Sequence, residues 1–279
     1  MFSIKTMTRQ DSPFAVQITD QMNWGMVKED FEFMMKLEPE GCFVLLDDRE
    51  RVGIATTVSF GKKGWFGNLI IAESHRKKGA GSSLVRHSVD YLRGRGVETV
   101  GLYAYVNKVN FYRRLGFEYD LEFTVLKGKG FSSAKQEGVI EARKEDMRQI
   151  IDYDGLCFGA SRSKVLEPLL SDSGNVGYVY MEGNRMRGYA LAKVYDGTAD
   201  LGPLVCPRGR SDLAISLLEA VLHRLTDAEV SLCLPKKEKS VISRLMENGF
   251  VESFPVVSMF LNPGTVNDCV YVAESLERG

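Results

Sequence analysis

Leu69-Ile70-Ile71 is followed by Arg76-Lys77-Lys78-Gly79-Ala80-Gly81-Ser82-Ser83-Leu84, and the periodicity changes across this stretch. An apolar run of strand type ends, a basic glycine-rich turn follows, and Leu84, Val85, Val89 and Leu92 then recur on one helical face from Gly79 to Arg93. Glycines in a strand-to-helix turn let the backbone approach a ligand, and the free N–H groups at the helix start point at it. The helix dipole adds about 0.3–1 kcal/mol for a bound anion. From Ser74 to Arg95 there are six Lys or Arg (76, 77, 78, 86, 93, 95) against Asp90, a local charge of +5. The whole chain carries 36 Lys and Arg against 37 Asp and Glu, a net charge of −1. A local basic patch in a neutral protein fits a small polyphosphate and argues against a nucleic-acid duplex. The turn lacks the Lys-Ser/Thr of a P-loop, and it lacks both the third glycine and the first-helix position of a dinucleotide-binding loop.

Outward from this turn, residues 1–127 read as mixed α/β. Thr8-Arg9-Gln10-Asp11 fits a capping box opening a helix that ends near Asn23, and a second helix covers Lys28 to Leu37. Strands are expected at Ser3–Met7, Cys42–Leu46, Val52–Phe60, Trp65–Ile71, Thr99–Tyr105 and Phe117–Leu126, with a short helix from Val109 to Leu115 stopped by Gly116. Lys127 to Glu137, with scattered glycines, serines and lysines, is read as the boundary before a second unit at 138–279. There, Glu141–Leu156, Ser163–Leu170, Asp212–Leu225 and Lys239–Met246 look helical. Val176–Met181, Arg187–Tyr195, Ala199–Val205, Glu229–Leu234 and Phe250–Leu261 look like strands. Gly116-Phe117 echoes Gly249-Phe250 at an offset of 133, and Val100 echoes Val230 at 130, as a duplicated domain with a small insertion would.

Arg76-Lys77-Lys78-Gly79-Ala80-Gly81 resembles the Q/R-x-x-G-x-G/A loop that grips the coenzyme A pyrophosphate in the GNAT superfamily of N-acetyltransferases. Asn107, followed by Tyr112 four residues before Gly116-Phe117, resembles that family's downstream block, and the likeness spans residues 1–127. In the second half, Cys157-Phe158-Gly159-Ala160-Ser161-Arg162 and Leu201-Gly202-Pro203-Leu204-Val205 resemble the degenerate second copy of tandem members. The resemblance implies two mostly antiparallel mixed sheets flanked by helices, each with splayed fourth and fifth strands. It implies transfer of an acetyl group from acetyl-CoA to a primary amine of a small molecule. A peptide or protein amine, or a non-catalytic coenzyme A-binding sensor, are the alternatives.

Residue roles follow from the same resemblance. Leu69, Ile70 and Ile71 offer main-chain groups to the pantetheine arm, and Arg76, Lys77, Lys78, Gly79, Ala80, Gly81, Ser82 and Ser83 hold the pyrophosphate. Asn107 hydrogen-bonds the pantetheine, and Tyr112 lies against the coenzyme and protonates the leaving thiolate. No general base is assigned. The fourth strand offers Asn68 but no carboxylate before Glu73, and a water chain to Tyr103, Tyr105 or a second-half residue is the alternative. Residues 28–50 hold eight acids and three bases, net −5, either an acidic rim for a cationic amine or a solvated face. Cys206-Pro207-Arg208-Gly209-Arg210-Ser211, the second half's counterpart of the phosphate loop, has one glycine and a proline that lacks an N–H, so one coenzyme per chain is expected.

The remaining composition excludes other classes. Hydrophobic residues make up 44% and charged residues 26%, a globular balance. No apolar run approaches the ~20 residues that cross a bilayer, and the start lacks a signal-peptide core. Five scattered cysteines and three histidines show no ligand spacing, so neither a metal nor a disulfide framework is expected, and a cytoplasmic setting follows. Neither a nucleic acid nor a membrane is an expected partner, and the oligomeric state is left open.

Overall fold

Local sequence sets the first helical turn. The Asp11 carboxylate accepts from the Thr8 N–H at 2.9 Å and the Thr8 hydroxyl at 2.8 Å. A 3-10 turn over Arg9–Asp11 then leads into α1, Ser12–Asp20. This helix stops before Asn23 because Asn23 and Gly25 adopt left-handed backbone angles, φ 55° and 64°. The computed structural model describes residues 2–264 and 269–279.

The first half continues with strands β1 (Phe2–Thr6), β2 (Cys42–Asp47), β3 (Glu50–Phe60), β4 (Lys63–Ile71), β5 (Thr99–Tyr105) and β6 (Glu118–Lys129). Its other helices are α2 (Lys28–Leu37), α3 (Ala80–Gly94) and α4 (Val109–Arg113). The second half has β7 (Val139–Glu141), β8 (Val176–Glu182), β9 (Arg185–Val194), β10 (Thr198–Val205), β11 (Glu229–Pro235), β12 (Val251–Leu261) and β13 (Val270–Val272). Its helices are α5 (Met147–Phe158), α6 (Ser163–Ser171), α7 (Ser211–Arg224) and α8 (Lys239–Glu247).

Three local differences from the sequence reading have physical causes. Glu141 ends an edge strand rather than starting a helix, since a capping turn at Arg143–Asp146 delays α5 to Met147. The segment read as a break is strand up to Lys129, where the ladder to β11 hides the polar composition. Val270–Val272, too short for a periodic signal, forms β13.

All described strands join one sheet in the order β1-β2-β3-β4-β5-β12-β6-β11-β10-β9-β8-β7, with β13 on β10. Only β4–β5 and β10–β11 pair in parallel among the described strands. The two halves exchange their last strands. β12 inserts between β5 and β6, with Val256 opposite Tyr105 and Leu261 opposite Val100. β6 in turn pairs with β11, from Glu229 opposite Lys129 to Pro235 opposite Phe123.

Helix α3 buries Leu84, Val85, Val89 and Leu92 against the first half of the sheet, each worth about 1.5–3 kcal/mol in transfer terms. One apolar cluster contains Ile18, Phe31 and Met34 of α1 and α2 together with Ile150, Val165 and Leu166 of α5 and α6, so the halves share a core. Within the second half, Arg162 is fully buried and ties α5 to Gly279. It donates to both Asp154 oxygens at 3.0 and 2.6 Å and to the main-chain oxygen of Gly279, and it lies 4.2 Å from the Phe158 ring centroid. Removing one partner of such a pair costs about 3–5 kcal/mol. The Phe-Gly-x-x-Arg stretch is therefore a structural clamp, with Gly159 capping α5 at φ 84°. All five cysteines are free thiols.

Candidate active site

Strands β4 and β5 pair only from Lys63–Thr99 to Trp65–Gly101 and then diverge. At the divergence β4 takes an extra residue. Gly67 faces Thr56 and Ile70 faces Ile54, leaving Asn68 and Leu69 opposite Ala55 alone, a bulge that turns main-chain groups out of the ladder. Asn68 sits there at φ 52°, its Oδ1 accepting from Thr56 Oγ1 at 3.2 Å and its Nδ2 lying 2.9 Å from Met26 Sδ. The notch opens into a cleft of about 1720 Å³. Leu69, Ile70, Ile71, Arg76, Lys77, Gly79, Gly81, Ser82, Asn107 and Tyr112 all line it.

At the mouth, Lys77 and Gly79 take left-handed angles, φ 62° and 83°, so the chain turns sharply into α3. The first helical bond is Ser83 N–H to Gly79 O at 3.0 Å. Earlier N–H groups of the turn, those of Ala80, Gly81 and Ser82, have no acceptor among the described residues and stand at the positive end of the helix. The Arg76 guanidinium folds back onto its own strand, donating from Nε to Ile71 O at 2.8 Å. Three expected phosphate residues lie off the cleft lining. Ala80 is buried in the core at 1% exposure, Ser83 is exposed on the helix side, and the Lys78 charge acts on Asp47.

Tyr112 stands on the cleft wall between Phe111 and Phe117, ring centroids 5.0 and 5.8 Å away. Its hydroxyl has no hydrogen-bond partner among the described residues, and burial pushes the phenol well above its ordinary pKa. It therefore stays protonated at neutral pH and keeps an O–H to donate. Across the notch, Tyr105 accepts from Trp24 Nε1 at 2.8 Å, and burial raises the pKa of both Tyr103 and Tyr105.

The far wall comes from the second half, through Lys193, Tyr195, Asp200, Glu274, Glu277 and Arg278. The sequence reading named none of these as site residues. Five of the six are charged residues scattered through strand and terminal segments, a pattern with no periodicity to flag it. Glu73 lies in an exposed 3-10 turn off the cleft, and of the eight acids at 28–50 only Asp30 lines it. Glu38, by contrast, is a buried junction residue that accepts from Lys164 Nζ at 2.7 Å, Ser59 N–H at 2.9 Å and Tyr91 Oη at 2.7 Å.

The second half repeats the divergence, with β10 and β11 paired only from Thr198–Glu229 to Asp200–Ser231. Here β13 fills the gap. Val272 faces Leu204, and Ala273 N–H donates to Cys233 O at 2.9 Å, so the chain bridges both splayed strands. A side chain at Gly202 would start 1.9 Å from Ala273 O. The loop counterpart is occupied as well, since Arg210 pairs with Asp212 at 2.9 Å and with Glu182 at 3.6 Å.

Known proteins match this architecture. The model of the Acetyltransferase (GNAT) family matches residues 7–117, and that of a second Acetyltransferase (GNAT) domain matches 150–270. A holothin acyltransferase from a Pseudoalteromonas species is 24% identical over 85% of this chain and 80% of its own. The crystal structure of an acetyltransferase candidate from Pyrococcus horikoshii superposes with a TM-score of 0.83 at 21% identity, covering 100% of this chain and 96% of that one. A tandem GNAT protein from the clavulanic acid biosynthesis pathway superposes at 0.64 with 13% identity, covering 95% and 100%. Among the described residues, no helix is long and apolar enough to cross a membrane.

Proposed function

We propose, for a chain that belongs to the GNAT superfamily and carries two of its domains in tandem, transfer of an acetyl group from acetyl-CoA to the primary amine of a small molecule. Residues 1–127 form the coenzyme-binding domain and residues 138–279 the degenerate one. The observation that carries this reading is the open β4–β5 notch, with its bulge at Asn68–Leu69 and the unbonded N–H groups of α3 at its mouth. A pantetheine arm can pair with the freed edge of Leu69–Ile71 as a strand would, while the pyrophosphate meets the turn from Arg76 to Ser82. The Arg76–Ile71 hydrogen bond supports a mainly backbone grip on the phosphates, with Arg76 bracing the turn. Asn107, exposed at the start of the turn into α4, can bond the arm from the other side.

Chemically, a main-chain N–H freed by the bulge can polarise the thioester carbonyl as it gains charge. The Tyr112 hydroxyl, unpaired and protonated, can donate to the departing sulfur. A wall built by Lys193, Asp200 and Glu277 encloses the acceptor end, which favours a small molecule over a folded protein. The test is thiol release from acetyl-CoA across a panel of amines, paired with calorimetric titration of the coenzyme. Turnover with small amines is the expected result. Tight binding without turnover would replace an enzyme with a sensor, and no binding would remove the assignment.

A further inference from the structure

We propose that Glu277, on the turn following β13, is the base that takes the proton from the acceptor amine; this rests on the acetyl-transfer reading above. A side chain at Gly67 would start 2.8 Å from the Cα of Glu277 and 3.0 Å from its carbonyl oxygen, so this turn lies directly on β4 where β4 leaves β5. That point is one residue before the bulge, beside the position a bound thioester would take.

The turn is anchored on both sides of Glu277. Trp65 Nε1 donates to Leu276 O at 3.3 Å. Arg278 donates to both Glu274 oxygens at 2.8 and 2.9 Å, and its guanidinium lies 5.4 Å from the Phe33 ring. Within the turn, Arg278 N–H donates to Ser275 Oγ at 3.1 Å. The backbone at 277 is therefore fixed while its side chain is left for the cleft.

The other acids of the cleft are committed or peripheral. Asp30 pairs with Lys193 at 3.6 Å, Asp200 accepts from Tyr195 at 3.3 Å, Glu274 holds Arg278, and Glu229 is exposed at the start of β11. Glu277 lines the cleft and has no hydrogen bond or ion pair to another side chain among the described residues. The groups that act on it are Tyr105 of β5, Cys233 of β11, Asp200 of β10, and Arg278 and Glu274 of its own segment. Burial raises its pKa, Arg278 and its own N–H lower it, and Glu274 and Asp200 raise it; the balance is upward, toward the working range of a base at neutral pH.

The step balances. An ammonium N–H bond breaks and the Glu277 carboxylate gains the proton. The freed nitrogen pair forms the C–N bond to the thioester carbon, and the C–S electrons leave with sulfur, which receives the Tyr112 proton. The second proton shed by nitrogen restores Tyr112 through water, so the products are an amide, a thiol and one released proton. A site with carboxylates at 200 and 277 beside the Tyr105–Trp24 pair suits an amine that arrives as a cation.

Glu277→Gln keeps the shape and removes the base. Thermal melting and acetyl-CoA calorimetry are expected to stay near wild type. With an amine from the panel, kcat/KM at pH 7 should fall by about 10²- to 10⁴-fold. The acidic limb set by this carboxyl should vanish, leaving a rate that climbs with the free-amine fraction. Glu277→Asp should retain the limb at a reduced rate, which a purely structural role would not produce. If no amine is accepted, slow acetyl-CoA hydrolysis replaces it, and the Gln variant should lose the base-assisted part. A Gln variant within threefold of wild type with an unchanged pH profile overturns the proposal. Wild type that fails to bind acetyl-CoA overturns the underlying reading as well.

Discussion

Replacing Tyr112 by Phe separates chemistry from packing. The ring meets Phe66, Phe111 and Phe117 at centroid distances of 6.5, 5.0 and 5.8 Å, and all three contacts survive in Phe. The hydroxyl has no partner among the described residues, so its loss leaves none of their buried groups unpaired, and stability should change by less than about 1 kcal/mol. Under the proposed function, what the variant loses is a proton donor to the departing thiolate. We expect kcat to fall by roughly ten- to a thousand-fold, about 1.4–4 kcal/mol of barrier, with acetyl-CoA affinity nearly unchanged. Because burial holds the phenol protonated, the wild-type rate should show no alkaline loss from Tyr112 below about pH 10. The assay is single-turnover acetyl transfer at saturating coenzyme, so that product release does not mask the chemical step. Full single-turnover rate in the variant would make Tyr112 a packing residue and send the search for a donor to Tyr103 or Tyr105.

Three further outcomes follow from the geometry. Gly81→Glu places a carboxylate at the start of α3, where its Cβ would begin 3.4 Å from Phe111; acetyl-CoA affinity should drop at least thirtyfold by calorimetry while the melting temperature holds within a few degrees. Coenzyme titration should saturate at one molecule per chain, because β13 bridges the β10–β11 gap; a stoichiometry near two would contradict that plug. Burial pushes the Asp11 carboxyl up, but Arg51, the Thr8 N–H and hydroxyl, and Lys5 outweigh it and hold it at about 2. A depressed folded pKa stabilises above the unfolded value and is lost as pH falls from about 4 toward 2, so Asp11→Asn should cost on the order of 1–3 kcal/mol at pH 7 and flatten that acid limb in urea titrations.

Much of the fold was legible because its elements carry period. α2 and β5 begin and end where the apolar pattern does, and Gly116 and Gly249 stop their helices in the left-handed region at φ 92° and 87°. The glycine turn before α3 was legible for a different reason, since glycine spacing reports backbone conformation directly. Strand exchange left no such mark. β6 and β12 have the same alternation whichever partner they take, and only their long-range neighbours decide between β5 and β11. The far wall of the cleft was illegible for a related reason. Asp200 and Glu277 lie 83 or more positions from any residue of the first half's sequence motifs, and the fold alone brings them there.

The exchange bears on why the second half persists with its own notch filled. β12 brings Val257 and Met259 into the cluster under α3 and α4, and its Phe260 packs 5.8 Å from Trp65. Without β12, β5 would lose a partner along six residues, from Val100 to Tyr105, beside the very notch that must stay open. Pairing β5 directly with β6 would require stripping β6 from β12, and β6 carries Leu126 into the second half's core. Each half thus completes the other's sheet, and neither strand can change partners without uncovering both cores. The described residues from Val270 onward cross β10 and β11 and come down onto Gly67. One stretch of chain therefore closes the second notch and forms a wall of the first, so under the proposed function the plugging of one notch and the completion of the open cleft are a single structural event.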